Sequence, residues 1–449
     1  MKRLRIGNGC GFWGDNRDAP VRLVEHGRLD YLTLEYLAEL TMSILALQKQ
    51  RDPSTGYASD FLEVLERLTP LLRQQPRLKI ITNAGGMNPL GCAEKAQAVL
   101  HAAGLPHKIA AVHGDDLLPN LDDLLHAGHP LTNLDTGAPL TDVRARVVSA
   151  NAYLGSPPIV DALHRGASIV ITGRVADAAL TVAPAVHEFG WDWTDSNRIA
   201  AANVAGHLIE CGAQATGGLW INWPEAPDLA HVGYPIVELD ADGDFDITKP
   251  PGSGGAVNLE TVSEQLLYEV ADPAAYLTPD GVADFTSVTL TETAQDVVRV
   301  TGARGRPPTD SYKVSIAYRD GFMASGTLVI SGPNAPAKAR ACGRMILDRL
   351  AQAHFTFDRS CVECLGAGDC VPGVLPAADP PEVVLRVAVH DAKRAAVERF
   401  TKEIAPLVTS GPPGVTGYTT GRPVVREVFA YWPALLNKSA VQAQVTMLE

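Results

Sequence analysis

His207 and Glu210 form a pair whose types and spacing suit acid–base chemistry. They lie three positions apart in a segment that reads as helical, so their side chains share one helix face. An imidazole beside a carboxylate can act as a general acid–base pair or bind a metal ion. Cys211 follows directly, but a thiol is a nucleophile only where its pKa is lowered, and a lone cysteine is more often a packed core residue.

Polar side chains and glycines also follow the predicted strands in the first half of the chain. In open α/β sheets, ligands bind beyond the carboxyl ends of the strands. Loops that only reverse the chain need glycine, but they do not need a mixture of Asn, Glu and Arg. We therefore expect substrate-binding residues at this edge of the sheet, namely Asn8, Gly9, Gly11, Asn83, Gly85, Gly86, Asn151, Tyr153, Thr172, Gly173 and Arg174.

Arg174 lies between a predicted strand and the start of a helix. Unpaired N–H groups and the helix macrodipole favour an anion at such a place, and the guanidinium would add a bidentate clamp for a carboxylate or a phosphate. Asp177 could instead cap the helix and pair with Arg174, which would make the group structural. Both interpretations stay open, and Asp177 is also a candidate catalytic residue.

A second candidate anion site begins at Lys249. The loop contains Gly252, Ser253, Gly254 and Gly255 and comes before an apparent helix that Asn258 would cap. Glycine-rich backbone ahead of a helix forms an anion nest, and Lys249 supplies positive charge. A plain turn between domains is the alternative, although the run of small residues beside a lysine favours a ligand.

The motif Gly9-x-Gly11-x-x-Gly14 matches the dinucleotide-binding fingerprint. Glu35 ends the second predicted strand, where an acid that binds ribose would lie. Phe12 and Trp13 are bulky at the point where the backbone must approach a pyrophosphate. The motif therefore favours a tight turn that packs a helix on a strand, with a nicotinamide or flavin site as the alternative.

The sequence requires no metal ion and no cofactor. Cys361-x-x-Cys364 with Cys370 resembles half of a zinc site, but no second Cys or His pair follows at the usual spacing, so unligated thiols are expected. A divalent cation remains possible at His113, Asp115 and Asp116, although acidic residues before a leucine-rich helix more often cap its N-terminus.

Composition excludes several classes of function. The 449 residues include 38 Lys and Arg against 51 Asp and Glu, a formal net charge of −13, which disfavours binding to nucleic acids and to anionic membrane surfaces. No apolar run reaches the roughly 18 residues that would span a bilayer, and the N-terminus shows no apolar signal-peptide segment. Seven cysteines do not fit a disulfide framework. A cytoplasmic location is expected.

The order of predicted elements indicates an α/β fold. Residues 1–225 read as a domain with a mainly parallel sheet, flanking helices and glycine-rich loops at the strand ends. Residues 226–449 read as a second, α+β domain with an antiparallel sheet. In that domain Tyr312–Tyr318 and Met323–Ile330 are expected to form a hairpin.

Two helices of the first half are predicted from local signals. Ser156 followed by Pro157 indicates a helix start, and Gly166 indicates its end. A second helix should bury the stripe formed by Leu37, Leu40, Ile44 and Leu47.

Several long motifs occur in a fixed order along the chain. These motifs are Ile6–Phe12, Asp30–Leu32, Glu35–Glu39, Thr82–Gly86, Ala150–Gly155, Ile171–Asp177, Gly206–Gly212 and Pro251–Gly255. Taken together, they resemble the acyclic terpene utilisation protein A family, and the resemblance covers nearly the whole chain.

The resemblance implies a role in the breakdown of branched or unusual carboxylic acids, as acyl-CoA thioesters in some members. It transfers no set of catalytic residues. Longer members continue into a small ferredoxin-like C-terminal domain, and the resemblance suggests that this module is a separate small subunit here. A homo-oligomer is also expected, as for many α/β catabolic enzymes.

We therefore expect a lyase of the hydratase/dehydratase type that acts on a small anionic carboxylate or an acyl-CoA. Glu35 or Glu210 would be the acid or base, Arg174 and Lys249 would hold the anion, and Asn83 and Asn151 would orient the substrate. The first alternative is a binding subunit whose chemistry resides on a small partner. The second is a nicotinamide-dependent oxidoreductase.

Overall fold

A computed structural model describes residues 3–417 and 421–448. In chain order, the strands are β1 Arg3–Asn8, β2 Tyr31–Leu34, β3 Lys79–Thr82, β4 Ile109–His113, β5 Val147–Ala152, β6 Ile169–Thr172, β7 Ile236–Asp240, β8 Phe245–Thr248, β9 Tyr276–Leu277, β10 Val282–Asp284, β11 Thr289–Ala294, β12 Val297–Thr301, β13 Arg304–Arg306, β14 Ser311–Ser331, β15 Arg359–Leu365, β16 Glu382–Asp391, β17 Val415–Thr416, β18 Arg426–Asn437 and β19 Gln444–Leu448. The α-helices are α1 Ala19–Gly27, α2 Glu39–Arg51, α3 Asp60–Gln74, α4 Pro89–Ala102, α5 Leu121–His126, α6 Pro157–His164, α7 Ala179–Phe189, α8 Ser196–Glu210, α9 Leu259–Leu267, α10 Ala335–Gln352, α11 Arg394–Phe400 and α12 Leu407–Ser410.

The chain packs as two compact units. One contains the described residues up to Ala317 together with those from Tyr431 onward, and the other contains Tyr318–Ala430. The division of the chain near residue 225 remains a prediction. The α/β class is confirmed at the level of a large mixed sheet accompanied by antiparallel sheets.

The large sheet of the first unit has the strand order β11-β12-β8-β7-β1-β2-β3-β6-β4-β19. Its centre, from β1 to β4, is parallel, as the sequence predicts. Both flanks are antiparallel, because β7 joins β1 and β19 joins β4. The expectation of a mainly parallel sheet therefore holds only for the centre. The strand β5 is not part of this sheet and pairs with β14 instead.

The parallel centre is the most deeply buried part of the first unit. Every residue of β2 and β6 is buried, and Leu32, Leu34, Ile169 and Ile171 belong to a core that also contains the inner faces of α1, α3 and α4. Strands covered on both faces need this continuous apolar pattern, which explains why the sequence identifies them well. Polar side chains therefore collect where these strands end.

The second unit contains the second half of β14 followed by α10, β15, β16, α11, α12 and β17. Its sheet has the order β15-β16-β14-β17, and every pairing is antiparallel. Apart from the four-residue helix α12, this is the β-α-β-β-α-β order of the ferredoxin-like split βαβ arrangement, with the third strand between the first two. The core of the unit lies between one face of this sheet and the buried sides of α10 and α11.

Local signals gave mixed results. The boundaries of α6 are confirmed at Pro157 and before Gly166, although the Ser156 hydroxyl donates to Asp280 (2.6 Å) and does not cap the helix. The hairpin prediction is wrong, because residues 311–331 form one strand, β14. Gly321, which lies between the two runs of the expected hairpin, is inside this strand with φ +82°.

The buried stripe predicted for α2 is also wrong. Leu40 and Ile44 are exposed, while Met42, Leu45 and Ala46 face the core. Apolar residues occupy both sides of this helix, so periodicity alone does not choose the buried face. Within residues 3–417 and 421–448, we find no helix with the length and apolar character needed to cross a membrane.

Candidate active site

A cavity of about 950 Å³ lies in the first unit beyond the carboxyl ends of β1, β2 and β6. The end of α8, the strand β9 and the start of β14 complete its wall. Of the residues named from the sequence, the described lining includes Gly11, Glu35, Tyr153, Arg174, Asp177, His207, Glu210 and Cys211. The cavity therefore lies where open α/β sheets bind their ligands, beyond the carboxyl ends of the strands. The last two turns of α8 add the acid–base pair His207 and Glu210.

His207 and Glu210 are in hydrogen-bond contact on this wall. His207 Nδ1 lies 3.2 Å from Glu210 Oε1, and Nε2 lies 2.9 Å from the carbonyl oxygen of Gln265. A carbonyl only accepts hydrogen bonds, so Nε2 carries a proton. The contact between Nδ1 and Oε1 therefore holds a second proton, which either the imidazole or the carboxyl group can carry.

The surroundings of this pair favour retention of that proton near neutral pH. Burial raises the pKa of Glu210 to about 7. Burial acts to lower the pKa of His207, but its hydrogen bond to Glu210 raises that pKa overall. The centres of the Tyr276 and Phe285 rings lie 5.3 and 5.2 Å from the centre of the His207 imidazole. These rings keep the surroundings of the imidazole apolar.

Glu35 provides a second acid in the same cavity. Its Oε1 accepts hydrogen bonds from the Leu37 amide (3.0 Å) and from Asn83 Nδ2. Oε2 has no hydrogen-bond partner within the part of the chain that the structure describes. Burial and the nearby Asp177 carboxylate raise the pKa of Glu35 well above its usual range, against the effect of Arg174. These surroundings favour the protonated acid.

Arg174 is fully buried and forms the ion pair expected under the structural interpretation. Its guanidinium donates to Asp177 Oδ1 (2.8 Å) and to the Leu37 carbonyl (3.0 Å), and it stacks 4.1 Å from the centre of the Tyr153 ring. Asp177 remains 36% exposed and acts electrostatically on both Glu35 and Glu210. The Asp177 carboxylate therefore raises the pKa of both acids of the cavity, Glu35 and Glu210.

Three predicted asparagines support the cavity from behind and are outside its lining. Asn8 Nδ2 donates to the carbonyls of Ile209 and Glu210 (2.7 and 2.9 Å), which fixes the end of α8. Asn83 holds Glu35 and also accepts from the Tyr36 amide. Asn151 donates to Asp115, whose carboxylate also accepts from the amide of Arg174.

Two predicted glycines allow close approach of backbone segments. A Cβ on Gly11 would lie 2.8 Å from the Cys211 carbonyl carbon, and a Cβ on Gly173 would collide with Asp115. The Gly11 amide donates to the Asp15 carboxylate (2.8 Å), so it is not free for a pyrophosphate, and α1 begins only at Ala19. These contacts favour the packing interpretation of the fingerprint motif.

The remaining strand-end residues pack between elements and do not line the cavity. A Cβ on Gly9 would lie 2.9 Å from Pro20, and one on Gly85 would lie 2.7 Å from Pro89. Gly86 has a positive φ of 48° beside α2. The Thr172 hydroxyl bonds within its own loop, to the Gly173 carbonyl.

The Lys249 loop also lies outside the cavity lining. Lys249 Nζ is buried and donates to the Ser253 carbonyl (2.8 Å), and it pairs with Asp296 (3.2 Å). The amides of Gly254 and Gly255 donate to the carbonyls of His231 and Pro227, and Gly252 lies at the turn with φ +76°. The groups expected to hold an anion are thus already bonded within the protein.

Several lining residues had no signal in the sequence. Lys313 enters from β14, donates to Glu39 (3.1 Å) and lies 4.8 Å from the centre of the Tyr153 ring. Tyr276 enters from the short strand β9. Both lie outside any motif, and only the pairing of distant segments brings them to the cavity. The described lining contains six carboxyl groups but only two side-chain cations, Arg174 and Lys313, so positive charge is confined to one side.

The candidate cysteine and metal positions have other roles or surroundings. Burial and the neighbouring Glu210 raise the pKa of the Cys211 thiol, which opposes nucleophilic reactivity. Among the described residues, no group of three or more His, Cys, Asp or Glu side chains is arranged to hold a metal ion. His113 lies 3.0 Å from the Thr446 hydroxyl, and Asp116 accepts from the Leu118 amide.

Comparisons with known proteins give one match. A family model described as acyclic terpene utilisation family protein AtuA matches residues 4–447, nearly the whole chain. Neither a curated protein nor a solved structure matches the chain significantly. The resemblance carried by the sequence motifs is therefore confirmed.

Proposed function

The chain belongs to the acyclic terpene utilisation AtuA family, and from that premise we propose that it is a catabolic lyase of the hydratase/dehydratase type. Its substrate is an unsaturated carboxylate or the corresponding acyl-CoA thioester. The observation that carries this proposal is the 3.2 Å contact between His207 Nδ1 and Glu210 Oε1 in a cavity that also holds a second buried acid, Glu35. Addition of water to a double bond requires one group that removes a proton and another that supplies one.

In the hydration direction, the His207–Glu210 pair removes a proton from water. The resulting oxygen nucleophile adds to the β-carbon of the substrate, and Glu35 donates its proton to the α-carbon. The double bond is consumed, one water molecule is added, and both protein groups recover their protonation states by exchange with solvent. Dehydration follows the same steps in reverse.

The charge distribution of the cavity favours one orientation of the substrate. The carbonyl or carboxylate group belongs on the side of Arg174, Tyr153 and Lys313, where the cations lie. Negative charge that develops on this oxygen during proton transfer is stabilised there. Protonation of Glu35 reduces the repulsion that an anion would meet elsewhere in the cavity.

The test is a screen of α,β-unsaturated carboxylates and their CoA thioesters, including acyclic terpenoid acids, in water enriched in heavy oxygen and, in a parallel reaction, in deuterium oxide. We expect a product that contains one labelled hydroxyl group and has lost the conjugated double bond. A single solvent-derived hydrogen at the α-carbon should accompany it. Protein that changes none of these compounds, alone or with added divalent cation, contradicts the proposal.

A second candidate function is a binding subunit whose chemistry resides on a partner. The observation that favours it is the apolar rim of the cavity, where Phe12, Leu134, Leu219, Leu277 and Leu435 are each more than half exposed. Exposed apolar side chains grouped around a cavity often mark a surface that another molecule covers. Native mass spectrometry of the isolated protein, with activity assays before and after any partner is removed, separates the two functions.

A further inference from the structure

The second unit contains the two most accessible thiols of the chain. All seven cysteines lie in the described residues; Cys10, Cys92, Cys342 and Cys364 are buried, and Cys211 is partly buried. Cys361 and Cys370 are exposed. These two therefore differ in access from the rest of the cysteines.

Both exposed cysteines line one groove of about 460 Å³. Cys361 lies in β15, on the same side of the strand as Glu363, and Cys370 lies in the loop between β15 and β16. Asp369 fixes this loop, because its carboxylate accepts from the Cys364 amide (2.8 Å) and from Arg340 (2.8 Å). The residue before Cys370 is thereby bonded to the strand that carries Cys361.

Arg386 connects the two thiols electrostatically. Its guanidinium pairs with Glu363 and interacts with both Cys361 and Cys370. Burial and Glu363 raise the pKa of the Cys361 thiol overall, and Arg386 opposes this rise, because a nearby guanidinium stabilises the thiolate that attacks a disulfide. The acids of the groove are already paired, Glu363 with Arg386 and Asp369 with Arg340, which disfavours a metal site built on these thiols.

We propose that Cys361 and Cys370 are a redox-active pair that forms a reversible disulfide with a low-molecular-weight disulfide such as oxidised glutathione. One thiolate attacks a sulfur of the glutathione disulfide, forms a mixed disulfide and releases one glutathione thiol. The second protein thiolate then attacks the protein sulfur of the mixed disulfide and releases the other glutathione. Two protein thiols are oxidised, one disulfide is reduced, and the loop is joined covalently to β15.

The test uses the whole reduced protein in its native state. An aromatic disulfide reagent should titrate two fast thiols, and incubation with oxidised glutathione should remove both. Peptide mapping after acid quenching should give a linked Cys361–Cys370 peptide, and a dithiol reductant should restore both thiols. Cleavage of the loop by a protease should be slower in the oxidised protein.

Variants make the test specific. Cys361→Ser and Cys370→Ser should each retain glutathione on the remaining cysteine, whereas the control Cys211→Ser should form the linked peptide as the wild type does. Independent glutathione adducts on both cysteines of the wild type would overturn the proposal. So would disulfide-linked dimers, or two fast thiols that oxidised glutathione leaves unchanged.

Discussion

Glu210 is the residue on which the proposed chemistry depends most. Its ordinary carboxyl group becomes useful near neutral pH because it is buried at the end of α8 and bonded to His207. The spacing of three residues predicts that the two side chains meet. It does not predict the Gln265 carbonyl, which fixes the protonated ring nitrogen and lies 58 positions further along the chain.

The first prediction concerns the pH dependence of activity. Burial raises the pKa of Glu210 to about 7, so the form that can accept a proton becomes populated as the pH rises through that value. We expect kcat/KM of the wild type for hydration to rise with pH, with an apparent pKa near 7. This rise should be absent in Glu210→Gln. Stopped-flow rates across the pH range measure it. The same rise of kcat/KM with pH in the wild type and the variant would assign the titration to another group.

The second prediction concerns the neighbouring thiol. Burial and Glu210 raise the pKa of Cys211, so its thiolate is scarce at neutral pH. Cys211→Ala should therefore keep kcat within about a factor of two of the wild type. A loss on the order of 100-fold, with substrate binding intact, would show that the thiol takes part in the reaction.

At the scale of elements, the expectation that ligands bind beyond the carboxyl ends of the strands holds for β1, β2 and β6 but not for their neighbour β3. The segments after β1, β2 and β6 reach the cavity, and their polar residues were identified from the sequence. This expectation does not separate residues that face the cavity from those that hold its backbone. Asn8 and Asn83 belong to the second group, because their amides bond to the end of α8 and to Glu35.

Long-range pairing limited the prediction of the other elements. β14 looked like a hairpin because Gly321 lies between two apolar runs, yet separate partners pair with its two halves. The start of β14 delivers Lys313 to the cavity. Nothing in the local sequence indicates which distant strand an element will join, so the contribution of β14 to the site could not be foreseen.

The third prediction concerns the Lys249 loop. The sequence favours an anion site there, whereas the contacts of Lys249 Nζ with Ser253 and Asp296 favour a structural role. If the structural role is correct, Lys249→Met lowers the free energy of unfolding by about 2 kcal/mol or more and leaves kcat/KM unchanged. Urea unfolding and steady-state kinetics measure the two effects.

Lys95→Met is the matched control for that substitution, because Lys95 is exposed on α4. It should change neither quantity. A rise in KM for Lys249→Met at wild-type stability would instead support the anion site.

At the scale of the whole molecule, several buried acids make stability depend on pH in an unusual direction. Burial raises the pKa of Glu210 to about 7 and that of Asp115 to about 6, and it also raises the pKa of Glu35 and Asp280. The folded state therefore binds more protons than the unfolded state between the ordinary carboxyl pKa and neutrality.

The fourth prediction follows from that linkage. The free energy of unfolding should fall as the pH rises from about 4.5 to about 7, the ordinary and the raised pKa of Glu210. Glu39 behaves oppositely: despite its burial, the Tyr153 hydrogen bond and nearby cations lower its pKa to about 2, so its contribution is lost only at more acidic pH.

Over this pH interval the free energy of unfolding of Glu210→Gln should fall less than that of the wild type, by on the order of 2 kcal/mol. Urea titrations of both proteins at the two ends of this pH interval measure the difference. Equal slopes for the variant and the wild type would mean that Glu210 titrates alike in the folded and unfolded states.

The most direct test of the account is turnover by Glu210→Gln and Glu35→Gln, measured with the compound that the screen identifies. Each substitution keeps the shape of the side chain and removes its ability to transfer a proton, so each should lower kcat on the order of 100-fold or more while the fold remains intact. Glu94→Gln, on the exposed side of α4, should match the wild type. Wild-type turnover by both active-site variants would contradict the assignment of this cavity as an acid–base site.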